Sequence, residues 1–202
     1  MPRFRGALVR CTVCCLFGLV LVSGCARTGD SPGTASEVPE QYGGTQALEL
    51  SSSALQDGAV IPAEYCGTSV AGGQNRSPSL DWSGAPDETA SFVVVMIDEH
   101  RVANQWVHWV IVDLPPQTTS LADNATGSLP APARELRNAY GDEGYGGPTP
   151  PPGSGDHPYV ITVYALDTTS TDIKDKPSRS QIERAVEGHV LASGTITGYF
   201  GR

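Results

Sequence analysis

"SFVVVMID", Ser91 to Asp98, decides how the rest of the chain is read. Six apolar residues stand in a row, and three of them are valine. Side chains on a strand alternate between two faces, so an unbroken apolar run needs cover on both. It then ends abruptly in a carboxylate. An acid at the end of such a strand is costly unless it finds donors or a cation. The pattern recurs in "WVHWVIVDLP", Trp106 to Pro115, which Pro115-Pro116 ends, and in "YVITVYALD", Tyr159 to Asp167. "GTITGYF", Gly194 to Phe200, reads as a short closing strand. One helix is expected. Ser180 and Glu183 form a Ser-x-x-Glu capping box, Ile182, Ala185, Val186, His189 and Val190 share one face, and Gly194 stops it. There is no internal repeat. Valine-rich strands, long Gly/Pro-rich connections and one late helix predict a mostly β domain, a sandwich with a Greek-key core and peripheral helices.

Upstream, the texture differs. Arg3, Arg5 and Arg10 precede the apolar run "CTVCCLFGLVLV", and "VSGC" ends at Cys25. A basic start, a short apolar run and small residues before a cleavage point describe an export signal over residues 1–24. The run is short for a bilayer span. Ser23-Gly24 before Cys25 resembles a bacterial lipobox, which implies that Cys25 is lipidated and holds the protein at the extracytoplasmic face of the cell membrane. An ordinary signal with an incidental cysteine is the alternative. Residues 25–46, rich in Gly, Ser, Thr and Pro, read as a flexible tether, and residues 47–202 as the folded domain.

Cleavage before Cys25 leaves 178 residues with ten basic against 22 acidic side chains. Such a balance argues against general nucleic-acid binding, which needs basic surface. It also argues against loose adhesion to anionic headgroups. Neither point excludes a small anion pocket. Cys66 is the one cysteine left beyond the signal and Cys25, and reads as a buried, inert thiol. No metal site or cofactor is expected. Neighbouring side chains of "DEH" would point to opposite faces of a strand, and one cysteine with scattered histidines makes no zinc site.

Four histidines remain to be placed. His189 reads as a core residue of the helix, and His100 as exposed. His108 interrupts an apolar strand. His157 ends the loop "GYGGPTPPPGSGDHPY", Gly144 to Tyr159, whose glycines and prolines suit a stiff path aimed at the imidazole. Three strand ends then suggest one site. Asp98, His108 and His157 meet, Trp106 and Tyr145 form walls, and glycine amides with the Tyr159 hydroxyl face an anion. A buried structural cluster without a ligand is the alternative. Ser154, Asp156 and His157 lie too close in sequence for an ordinary triad. No Gly-x-Ser-x-Gly, His-Glu-x-x-His or phosphate-loop motif is present.

Taken in order, "DGAVIPAEYC" (57–66), "GGQNRSPSLDWSGAP" (72–86), the two strands above, "NAYGDEGYGGPTPPPG" (138–153), "HPYVITVYALD" (157–167) and "ASGTITGYFGR" resemble the phosphatidylethanolamine-binding protein family, in its Raf-kinase-inhibitor-like bacterial branch. The resemblance implies a non-enzymatic module with a pocket for phosphate-like anions or phospholipid headgroups. Its pocket residues carry over to Asp98, Trp106, His108, Gly147, Pro148, His157 and Tyr159. An inhibitor of a protease or kinase, with its protein partner unidentified, is the second reading. A hydrolase using Asp98 and His108 is the third. Two departures stand out. "DEHRV" replaces Asp-Pro-Asp-x-Pro, which should loosen that rim, with His100-Arg101 adding basic groups there. Pro158 replaces an arginine, which should remove a cation from the pocket.

Overall fold

The computed structural model describes residues 46–202. The signal, the Cys25 lipidation site and the tether as far as residue 45 lie outside the described residues. Among the described residues, nine strands and one α-helix follow in the order β1 (Gln46–Ala47), β2 (Glu49–Ser51), β3 (Leu80–Ser83), β4 (Ser91–Asp98), β5 (Trp106–Leu114), β6 (Ser120–Leu121), β7 (Arg134–Glu135), β8 (His157–Leu166), α1 (Arg179–Val186) and β9 (Val190–Phe200), with a single 3-10 turn at Ala63–Tyr65 between β2 and β3. A six-stranded sheet runs β1-β9-β8-β4-β5-β7, and a three-stranded sheet runs β2-β3-β6. The domain is the expected mostly β sandwich with a late helix.

The apolar run of β4 explains the layering. All eight of its residues are buried. Phe92, Val94 and Met96 pack with Leu80 and Trp82 of the small sheet. Val93, Val95 and Ile97 pack instead with Ile173 and with Ile182 and Val186 of α1. Burying a side chain of this size is worth roughly 1.5–3 kcal/mol. Both faces of β4 are therefore claimed, one by a sheet and the other by the helix.

β5 obeys the same logic with two register shifts against β4, one between Phe92 and Val94 and one nearer the site. Met96 pairs with Trp109, but Ile97 pairs with Val107. His108 is the extra residue of a β-bulge. Such a bulge breaks the alternation of faces and re-aims a side chain. Val107 lies in the helix-side cluster and Trp109 in the sheet-side cluster, which a regular strand would forbid.

The helix differs from its expected limits. Its N-cap is Ser178, and Gln181 closes the capping box, with Ser178 N–H donating to Gln181 Oε1 at 2.8 Å. Glu183 instead accepts from Arg179 Nε at 2.5 Å. The helix ends at Val186, and the chain turns at Gly188, whose φ of +80° is open to glycine. Gly194 lies inside β9, not at a helix stop, and β9 begins at Val190. His189 is outside the helix and half exposed, donating Nδ1–H to Asp167 Oδ1 at 2.8 Å, so it is not a core histidine.

Candidate functional site

The antiparallel register collects the predicted residues at one end of the large sheet. Asp98 closes β4 and stands opposite both Trp106, the first residue of β5, and Tyr159. His157 opens β8. Three positions remote in sequence thus become neighbours through strand pairing alone.

Asp98 and His157 form a buried pair. His157 Nδ1–H donates to Asp98 Oδ2 at 2.6 Å, with the two side chains 1% and 5% exposed. The other carboxylate oxygen accepts from His100 N–H at 2.9 Å. Both acceptors of the acid are used, which answers the cost of burying it. Ser154 Oγ lies 2.9 Å from His157 Nε2 and 2.6 Å from Pro151 O, so its one proton has two acceptors within reach. The connectivity Asp98–His157–Ser154 resembles a triad, with Asp98 in the place that Asp156 held in the sequence reading.

His108 is built differently. The bulge turns its ring toward Tyr159, with ring centroids 5.1 Å apart. Its Nδ1–H donates to Gly146 O at 2.5 Å, and its own carbonyl accepts from Gly146 N–H at 2.9 Å. This tautomer leaves Nε2 with a lone pair and no hydrogen bond to the described residues. Burial pushes the imidazole down to about 4, against smaller upward pulls from the Gly146 carbonyl and the Asp98 carboxylate. His108 is neutral at pH 7. It does not bond to Asp98, whose partner is His157.

Tyr159 supplies an unusual group. It is 1% exposed, and its hydroxyl makes no hydrogen bond of normal length and angle, although it lies near the Asp98 carboxylate. Burial first, and then the neighbouring Asp98 carboxylate, pushes the phenol far up, so the hydroxyl keeps its proton. An orphaned buried hydroxyl costs roughly 1–3 kcal/mol and calls for an explanation.

The walls are only partly those expected. Trp106 stands at the rim, 39% exposed. The ring beside it is Tyr140, edge-on to Trp106 at 5.4 Å and to His108 at 5.5 Å. Tyr145 is not a wall. It packs against Trp109 and donates its hydroxyl to Tyr65 O at 2.7 Å. The expected glycine amides are also engaged. Gly146 N–H serves His108, and Gly147 N–H donates to Asn75 Oδ1 at 2.7 Å. Gly147 is required for packing, because a Cβ there would lie 2.5 Å from Tyr65 O. Pro148 O accepts from Gly67 N–H at 3.0 Å, which pins the loop to the 65–67 segment. Arg202 pins it further on, through Nε to Pro150 O at 2.5 Å and from Gly153 N–H to its own carbonyl at 2.7 Å.

The altered rim is tied, not loosened. Glu99 N–H donates to Pro158 O, and the Glu99 carboxylate accepts from Arg179 Nη1 at 2.6 and 2.7 Å. His100 is half-buried, not exposed, and stacks on His157 with centroids 3.9 Å apart. Pro158 sits between His157 and Tyr159 on a strand, so its side chain leaves the opposite face. An arginine there would start away from the His157 side, and the cation expected at the pocket is not what this position withholds. Cys66 is buried, and desolvation raises its thiol to about 12, as expected of an inert cysteine. Among the described residues, no group of His, Cys, Asp and Glu is arranged to hold a metal, and no helix is long and apolar enough to cross a membrane.

Tyr140, Ser154, Asn75 and Arg202 were not singled out by the sequence as parts of the site. Tyr140 sits in the quoted "NAYGDEGYGG" stretch, where two tyrosines compete and only packing selects one. Asn75 has a left-handed φ of 56°, a conformation that asparagine tolerates and that no pattern in the sequence announces.

Comparison with known proteins agrees with this picture. The family model described as phosphatidylethanolamine-binding protein matches residues 51–201. A UPF0098 protein of Methanothermobacter thermautotrophicus is 36% identical over 157 residues, which cover 77% of this chain and 99% of that protein. A Mycobacterium tuberculosis protein, LppC, designated a candidate lipoprotein, is 30% identical over 195 residues, covering 89% of this chain and 92% of that one. The crystal structure of Escherichia coli YbcL, titled a new member of the mammalian PEBP family, superposes with a TM-score of 0.70 at 30% identity, covering 77% of this chain and 98% of that one. A match spanning most of the chain, with the same fold, leaves one conclusion: this chain belongs to the phosphatidylethanolamine-binding protein family.

Proposed function

We propose that the domain is a non-enzymatic binding module for a phosphate-like anion, free or as a phospholipid headgroup, at the end of the sheet formed by Asp98, His108, His157 and Tyr159. The observation that carries the reading is the Tyr159 hydroxyl, a buried donor without a partner. A ligand oxygen would satisfy it. Trp106 and Tyr140 form the rim of the site, and Gly147 and Pro148 hold its loop. A crystal soaked in phosphate tests the reading. Density is expected within hydrogen-bond distance of Tyr159 Oη, and an empty site at saturating phosphate would sink it.

The module works at a membrane in this reading, held by lipid on Cys25 and the tether of residues 25–46, outside the cytoplasm. The lipobox-like "VSGC" and the similarity to LppC support it. Expression in a bacterial host should place the protein in the membrane fraction, and Cys25→Ala should release it. A Cys25→Ala protein that stays membrane-bound contradicts lipidation there.

A further inference from the structure

We infer that the site selects an oxyanion that brings its own proton, a phosphate carrying a P–O–H group, over one that has none. The inference rests on the anion-binding reading and deepens it. Two polar atoms at the site are left without a partner among the described residues, and they are of opposite kinds. Tyr159 Oη–H is a donor. His108 Nε2 is an acceptor, because Gly146 O, which can only accept, holds the ring proton on Nδ1 at 2.5 Å. The two rings stand edge to face, 5.1 Å between centroids, and so belong to one site. The other fully buried polar groups nearby are committed. Asp98 receives His157 and the His100 amide, His157 Nε2 is engaged with Ser154, and the Gly146 and Gly147 amides serve His108 and Asn75.

A ligand with acceptors only would satisfy Tyr159 and turn a lone pair toward the lone pair of His108 Nε2. A phosphate with one acidic proton satisfies both, accepting from Tyr159 and donating to His108. Buried polar groups left unpaired are what allow a site to reject a near-isostere. Sulfate, which is fully deprotonated at neutral pH, is the near-isostere. The groups that face His108 are Asp98, His157, Tyr140 and Tyr159, and the first two pull its proton affinity in opposite directions. Burial outweighs both and keeps the imidazole neutral across the physiological range.

Isothermal titration of the purified protein tests this with glycerol 3-phosphate, glycerophosphocholine and sulfate. The monoester has a second pKa near about 6 and so keeps its proton on the acid side. At pH 6, the monoester should bind roughly 10- to 100-fold more tightly than sulfate or the diester. Its affinity should fall as pH rises from 6 to 8, following loss of the ligand proton. Vesicles of phosphatidic acid in phosphatidylcholine separate the sources. Binding to them that glycerol 3-phosphate competes away assigns the proton-bearing group to a lipid headgroup, and binding of the soluble monoester alone assigns it to a free phosphomonoester; either supports the selection. Equal affinity for sulfate and the monoester, or an affinity that rises with pH, overturns the selection while leaving anion binding intact. Binding of none of the three overturns the anion reading, and the selection with it.

Discussion

Two buried imidazoles stand at the same end of the same sheet and are built for opposite purposes. His157 is closed. One ring nitrogen serves the Asp98 carboxylate and the other contacts Ser154. His108 is open. One nitrogen serves a backbone carbonyl, and the other has no hydrogen bond to the described residues. Equal burial, 1% and 2% exposed, therefore does not make equal residues. The saturated imidazole belongs to the scaffold that carries a buried charge. The half-saturated one, with the orphaned Tyr159 hydroxyl, is the place for a ligand.

The comparison breaks most visibly at His157. His157→Ala leaves the Asp98 carboxylate buried with only the His100 amide, and should cost about 3–5 kcal/mol by urea unfolding. A cost below about 1 kcal/mol would mean that the pair is not structural. Next comes pH. The folded pKa of His108 is lowered from 6.5 to about 4, so the unfolded chain takes up the proton first as pH falls. Stability should be full above about 6.5 and decline by roughly 3 kcal/mol toward pH 4 on this account. His108→Gln should flatten that part of the profile. A profile that stays sloped to the same degree assigns the proton uptake elsewhere.

Tyr159→Phe sharpens the other half. Removing an unsatisfied buried hydroxyl should stabilise the ligand-free domain by about 1 kcal/mol, and weaken phosphate binding by roughly tenfold. Loss of stability in that variant would show that the hydroxyl already has a partner. The smallest effect belongs to the rim. Glu99→Gln weakens a partly exposed ion pair with Arg179 and should cost under about 1 kcal/mol, with phosphate affinity unchanged.

Much of this was legible before any coordinates. The unbroken run of β4 demanded cover on both faces, and both covers exist. Asp98, closing that run, demanded partners, and strand pairing brought His157 to it. What escaped depends on single-residue geometry. The bulge at His108 leaves no mark in the sequence, since one extra residue changes register without changing composition. The choice of Ser178 over Ser180 as the helix cap was equally hidden, because two serines two residues apart offer competing boxes. Tyr140 displaced Tyr145 because the loop backbone, bound at Gly146 and Gly147, directs one ring outward and buries the other. His189 failed as a core residue because the helix stops three residues before it.

The most direct test of the open and closed imidazoles is the ring 15N spectrum of the two histidines during a phosphate titration at pH 6. The account predicts a marked shift at His108 Nε2, with the His157 ring nitrogens almost unmoved. A shift at His157 with His108 silent would contradict it.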